Sequence, residues 1–244
     1  MTKAYFISDL HIGAEDLQTE SARQKHILRF LREISREASH LFIVGDLFDF
    51  WFEYGVVIPK KYFEFLHQFK KMTDAGIEIH YLAGNHDFAL GTFFDQSLNI
   101  KTWSDEYTFE LAGKNFFLWH GDGLAKEDRG YRLLKRILRN RFNQRLFRWL
   151  HPDLGFKLAH FTSGSSRKYT NQLNDQRDES DYTAYAEDKF SEGFDYVIMG
   201  HRHRPLVYDK DRHRYINLGD WISKYSYAVF DGRDLTLNYF PTSE

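Results

Sequence analysis

The sequence predicts an α/β fold in layers, with a second sheet built from strands late in the chain. Two observations carry this. Through Leu82, apolar runs alternate with amphipathic stretches as strand–helix–strand–helix–strand, the order of a layered sheet. From Tyr107 the runs become shorter strands joined by tight turns, the pattern of a second sheet packed on the first. A third observation concerns function: five of these strands end in turns rich in Asp, His and Asn. Carboxyl-terminal strand ends along one sheet edge are where α/β proteins build sites.

In order, Tyr5 to Ser8 reads as the first strand. A helix is expected from Glu20 to Ala38, because Ile27, Phe30, Leu31, Ile34 and Ala38 recur at helical spacing. Leu41 to Val44 is the second strand, and Phe48, Phe50, Trp51 and Phe52 after it read as packing. Pro59 suits a helix start, with Tyr62, Leu66 and Phe69 turned inward, before a strand over Ile77–Leu82. Tyr107–Leu111 and Asn115–Trp119 flank Ala112-Gly113-Lys114 as a hairpin. Tyr196–Met199, Leu206–Tyr208, Arg214–Asn217, Ser226–Phe230 and Leu235–Tyr239 complete the second-sheet expectation.

Residues 123–192 differ in composition. Arg129 to Arg148 holds eight basic residues and no acidic one, threaded by the stripe Leu134, Leu138, Phe142, Leu146 and Trp149. One basic amphipathic helix is expected there, its apolar face either packed on the sandwich or held for an apolar ligand. Ser163-Gly164-Ser165-Ser166 breaks the pattern, and Ser180 is expected to cap a last helix through Phe190. The stretch reads as an insertion over the site within one domain spanning 1–244.

Composition narrows the chemistry. With Cys at 0, disulfides and thiolate metal sites are excluded, so any metal must be held by oxygen and nitrogen. A net charge of -2 argues against a nucleic-acid partner. Met1 to Ser8 lacks a signal peptide's apolar region, and no run reaches the ~18 apolar residues of a spanning helix. A cytosolic product, or one attached only to a membrane surface, is expected.

The strand-end turns are Asp9-Leu10-His11, Gly45-Asp46-Leu47-Phe48-Asp49, Gly84-Asn85-His86-Asp87, His120-Gly121-Asp122 and Gly200-His201-Arg202-His203. A single His in a turn is more often a solvated or capping residue than a ligand. Five, accompanied by Asp9, Asp46, Asp49, Asp87 and Asp122, point to metal. Mixed imidazole and carboxylate donors suit Mn²⁺, Fe or Zn²⁺ better than Mg²⁺. So many donors suit two ions sharing a carboxylate about 3.5–4 Å apart, an arrangement made for phosphoryl chemistry.

This ordered set resembles the calcineurin-like metallophosphoesterases, whose fold is a four-layer αββα sandwich. The resemblance implies that Asp9, His11, Asp46 and His203 hold one metal, and Asp46, Asn85, His120 and His201 the other. It also implies that His86, oriented by Asp49, stabilises the transition state or protonates the leaving group. The basic insertion and Gly200-His201-Arg202-His203-Arg204-Pro205 look like the UDP-2,3-diacylglucosamine hydrolases of lipid A synthesis. That family implies a nucleotide-lipid substrate cleaved to UMP and 2,3-diacylglucosamine 1-phosphate, usually with Mn²⁺, at the cytoplasmic face of the inner membrane. Better-known members carry Gly-Asn-Arg-Asp where this chain has Gly84-Asn85-His86-Asp87, His being the ordinary choice in the wider superfamily. The resemblance implies that Asn85, Asp122, Ser166, Arg167, Lys168 and Asn171, with Ser163, contact the substrate. The rival readings are a phosphoesterase for another nucleotide, phosphodiester or phosphoprotein, a nuclease, and a non-catalytic scaffold on the same fold.

Overall fold

The computed structural model describes residues 2–14, 17–124, 129–159 and 179–242. Its first sheet has the order β11-β10-β1-β2-β3-β4 and its second β5-β6-β7-β9-β8. The first comprises β1 (Ala4–Ile7), β2 (His40–Val44), β3 (Glu78–Leu82), β4 (Ile100–Trp103), β10 (Ser226–Phe230) and β11 (Leu235–Tyr239). The second comprises β5 (Tyr107–Leu111), β6 (Lys114–Trp119), β7 (Tyr196–Met199), β8 (Leu206–Lys210) and β9 (His213–Asn217). Strands β1 to β4 run parallel, as do β6, β7 and β9.

Alternation along each strand sets the layers. In β1, Ala4 and Phe6 face the second sheet, meeting Phe116 and Leu118 of β6 in one cluster. Tyr5 and Ile7 face the other way, onto Ile27, Phe30, Leu31 and Ile34 of α1 (Leu17–Ile34). Phe117 of β6 turns outward onto Tyr182, Ala186 and Phe190 of α7 (Ser180–Ser191). Helix, sheet, sheet, helix is the result, as the four-layer expectation has it. The high aromatic content works between the sheets, where Phe6 stacks on Phe42 at 4.9 Å and on Phe116 at 5.8 Å. Burying each such ring contributes about 1.5–3 kcal/mol. Phe48, Trp51 and Phe52 are buried, so the patch after β2 is packing, as its sequence suggested.

Four expectations need correction, the first being the helix expected over Glu20–Ala38, which runs instead over Leu17–Ile34. Strands β10 and β11 do not join the second sheet: β10 pairs antiparallel with β1 and completes the first. The basic segment is not one helix. It breaks at Asn140 into α4 (Arg129–Arg139) and α5 (Arg141–Phe147), because the Asn140 side chain accepts the N–H groups of Phe142 and Asn143 and starts a new helix. A further helix, α6, covers residues 152–159. Ser180 is the first residue of α7 rather than its cap; Glu179 holds the cap position without a side-chain bond to the helix. The short α3 (Phe93–Leu98) and β4 were not anticipated. Between β3 and the Pro59 turn, α2 (Phe63–Asp74) follows a 3₁₀ turn over Lys60–Tyr62 and buries Leu66 and Phe69 as expected.

Candidate metal centre

The parallel strands of both sheets end at one edge, and the expected ligands occupy the turns there. Asp9, His11, Asp46, His201 and His203 all have positive φ, from 42° to 67°. Non-glycine residues rarely adopt this conformation, and the strain marks turns shaped for something other than stability. The turns approach so closely that a Cβ on Gly84 would lie 2.5 Å from the Asp46 nitrogen. Cross-bonds lock them: Asp9 N–H donates to Gly45 O at 3.2 Å, His11 N–H to Asp46 O at 3.0 Å, and His201 N–H to Asp9 Oδ2 at 2.9 Å.

Three donor groups result, each within 4.8 Å: Asp9, His11 and His203; His11, Asp46 and His86; Asp46, His120 and His201. Asp9 Oδ1 lies 3.3 Å from His203 Nε2 and 3.6 Å from His11 Nε2. Asp46 Oδ2 lies 3.6 Å from His11 Nε2 and 3.3 Å from His120 Nε2, so Asp46 stands between the sets. Asn85 Oδ1 is 3.0 Å from both His120 Nε2 and His201 Nδ1.

This arrangement fits a cation on two counts. Asp9 Oδ1 and His11 Nε2 are buried and have no hydrogen-bond partner among the described residues. His120 Nδ1 donates to Val44 O at 2.9 Å, so in the neutral ring Nε2 presents a lone pair towards two oxygens. A proton or a metal ion must lie between them. The protein's ionisation agrees. Burial alone would raise Asp9, but His203, His11 and His120 outweigh it and bring the carboxyl to about 2. Asp46 is likewise held well below the usual range, with burial overcome by His120, His86 and His11. His120, which burial would lower, is pushed up to about 10 by Asp46, while burial and the charge of His120 bring His201 down to about 4. Two ionised carboxylates therefore sit among imidazoles whose proton places a divalent cation can take.

Other expected residues have different work. Asp87 belongs to none of the donor groups. It accepts the N–H groups of Gly84 (2.7 Å), Leu47 (2.7 Å), Asp46 (3.2 Å) and Phe48 (3.4 Å), and the Tyr81 hydroxyl. It brackets the Asp46 turn to the Asn85 turn, although burial and the neighbouring Asp46 charge raise its carboxyl to about 6. Asp87→Ala should strand several buried N–H groups and cost about 3 kcal/mol of stability, read as a lowered urea midpoint with an unchanged slope. An unchanged midpoint would show that the bracket carries no weight.

His86 is oriented by the Asp49 main chain rather than its carboxylate: Nδ1 donates to Asp49 O at 2.8 Å, while Oδ1 stands at 3.7 Å. Asp122 is buried against Lys135 Nζ of α4 at 2.9 Å, tying that helix to the site edge. Ser163, Ser166, Arg167, Lys168 and Asn171 lie outside the described residues. Asp220 joins the site without having been expected there: its Oδ2 lies 3.5 Å from His203 Nδ1. Its signal was present, since Leu218-Gly219-Asp220 follows β9 as Gly45-Asp46 follows β2.

The sequence profile of the calcineurin-like phosphoesterases matches residues 2–205. The chain is a calcineurin-like phosphoesterase. Enzymes of this family are metal-dependent hydrolases, and the donor set suits divalent ions. Among its relatives, the phosphoesterase is similar to the UDP-2,3-diacylglucosamine hydrolase of Porphyromonas gingivalis, at 34% identity over 97% of both chains. The enzyme of the same name from Haemophilus ducreyi is 32% identical over 91% of this chain and 92% of its own. A solved phosphoesterase from E. coli is similar over 98% of this chain and 93% of its own, at 16% identity and a TM-score of 0.48.

Proposed function

We propose that this phosphoesterase hydrolyses the pyrophosphate of UDP-2,3-diacylglucosamine to UMP and 2,3-diacylglucosamine 1-phosphate, in lipid A synthesis. The observation that carries the reading is similarity to enzymes of that name along nearly the whole chain, metal turns and insertion together. The insertion supports it chemically. Phe142 (65% exposed), Leu146 (58%) and Trp149 (90%) stand out from α5 and the turn after it, interleaved with Arg141, Arg145 and Arg148. An apolar face set among cations suits acyl chains beside a pyrophosphate, and a lid of this kind is how we read residues 123–192. No helix among the described residues is long and apolar enough to cross a membrane. The same face suits attachment to the cytoplasmic surface of the inner membrane.

In this reading Asp9, His11, Asp46 and His203 hold one ion and Asp46, Asn85, His120 and His201 the other, with Mn²⁺ as the metal. When bound, the pair neutralises phosphate oxygens and acidifies water near neutral pH. The residues do the rest. Asp46 fixes the spacing of the two sets through one carboxylate. Asp220 faces the outer nitrogen of His203 and holds the ring's aim. His86, with Nδ1–H donating to Asp49 O, keeps Nε2 for the leaving oxygen, to which the doubly protonated ring would donate a proton or a hydrogen bond.

The test is turnover of UDP-2,3-diacylglucosamine against a panel of plain phosphodiesters, with Mn²⁺ added. Release of UMP far above cleavage of the panel is expected; equal rates on both would overturn the substrate. His86→Ala should lower kcat by about 10²–10⁴-fold with both ions retained, the range for a general acid. A near-normal kcat would remove His86 from the chemistry.

A further inference from the structure

The inward face of α1 is apolar through Ile27, Phe30, Leu31 and Ile34, yet one turn earlier the same face carries Arg23. Arg23 is only 4% exposed. A buried guanidinium is costly unless its donors are met, and here they are met by the site's own backbone. Nη2 donates to His11 O at 2.8 Å, and Nη1 to Leu10 O and, at 3.4 Å, to Trp221 O. Glu20 balances the charge, accepting from Nε at 3.0 Å, and its other oxygen accepts Gly13 N–H at 2.5 Å. Trp221 N–H in turn donates to Asp9 O at 3.1 Å.

The carbonyls gripped by Arg23 belong to two loops. One carries Asp9 and His11, whose backbones are both in the left-handed region. The other places Trp221 beside Asp220, which faces His203. Asp9, His11 and His203 all belong to one donor set. Asn85 and His120 are held otherwise, by the Asp87 bracket beneath the Asn85 turn and by Val44 O on His120, while His201 meets the clamped loop through its N–H to Asp9 Oδ2 at 2.9 Å. We propose that Arg23 is a positioning residue for one ion of the pair: it fixes the peptide planes that aim Asp9 and His11, and steadies Asp220 behind His203. The two metal positions are therefore supported unequally, and Arg23 carries the difference. This rests on the ligand sets proposed above.

The test is Mn²⁺ binding by calorimetry to metal-stripped protein. Wild type, Arg23→Met, Arg23→Lys and the core control Ile34→Ala are compared. Wild type should bind two ions. Arg23→Met should keep one at wild-type affinity and weaken the other about 10–100-fold, the usual effect of losing an outer partner of a metal ligand. Arg23→Lys, which keeps the charge but not the fork, should fall between. Activity lost in Arg23→Met should return at high Mn²⁺, because the ligands themselves remain. Ile34→Ala, destabilised in the same helix, should bind both ions as wild type does. Two unchanged ions in Arg23→Met, or equal weakening of both, would overturn the clamp. Should Arg23→Met fail to fold, unchanged binding in Arg23→Lys overturns it alone. Fewer than two ions on wild type would instead overturn the ligand sets.

Discussion

Asp46→Ala is expected to lose both divalent ions and to lower turnover by at least about 10⁴-fold. Every other proposed ligand serves one set, but Asp46 Oδ2 faces His11 on one side and His120 on the other. Its second oxygen accepts His86 N–H at 2.9 Å, so the same carboxylate also holds the turn bearing the proposed acid. Each ion stabilises the developing charge by several kcal/mol, and each 1.36 kcal/mol is a factor of about ten in rate. Metal content after dialysis and single-turnover rates would check it. Two full-occupancy ions in the mutant would remove Asp46 from the bridge.

The second large effect is expected from Leu138→Asp combined with Phe142→Asp. Both side chains are exposed, so the fold should tolerate the change within about 0.5 kcal/mol, as at other surface positions. If they meet acyl chains, each forfeits about 1.5–3 kcal/mol of apolar contact. A charge placed against lipid adds to that loss. Turnover of the lipid nucleotide should fall by orders of magnitude, while a small activated phosphodiester is cleaved as before. The stripe's alternative role as core is disfavoured at Phe142, Leu146 and Trp149, which are largely solvent-facing. Equal loss of both activities in a folded, metal-loaded mutant would count against the lid. Unchanged lipid turnover would end it.

What the sequence revealed follows from locality. A strand running into Gly45-Asp46 or Gly84-Asn85 announces itself within six residues, and every turn of that kind found its place at the edge. Strand partnership is not local. Nothing within Ser226–Phe230 says that its neighbour is β1 rather than β9, since its alternation suits either sheet. The break at Asn140 was hidden because the apolar spacing runs through it unbroken; one side-chain cap outweighed the periodicity. Asp87 and Arg23 were misread or missed for a shared reason. Both are charges whose partners are backbone groups distant in sequence, and residue type alone does not distinguish such a bracket from a ligand.

The place of β1 has a consequence in time. All four of its residues are buried, and it lies between β2, made early, and β10, which begins at Ser226. At the usual 5–20 residues per second, on the order of 10–45 s of synthesis separates β1 from β10. Throughout that interval one flank of β1 has no native strand to pair with, the kind of edge that invites wrong partners. The Trp221 loop that Arg23 grips also emerges at the end. A nascent chain therefore holds Asp9 and His11 long before it can aim them. The first of the proposed ligands to be made are among the last to be set.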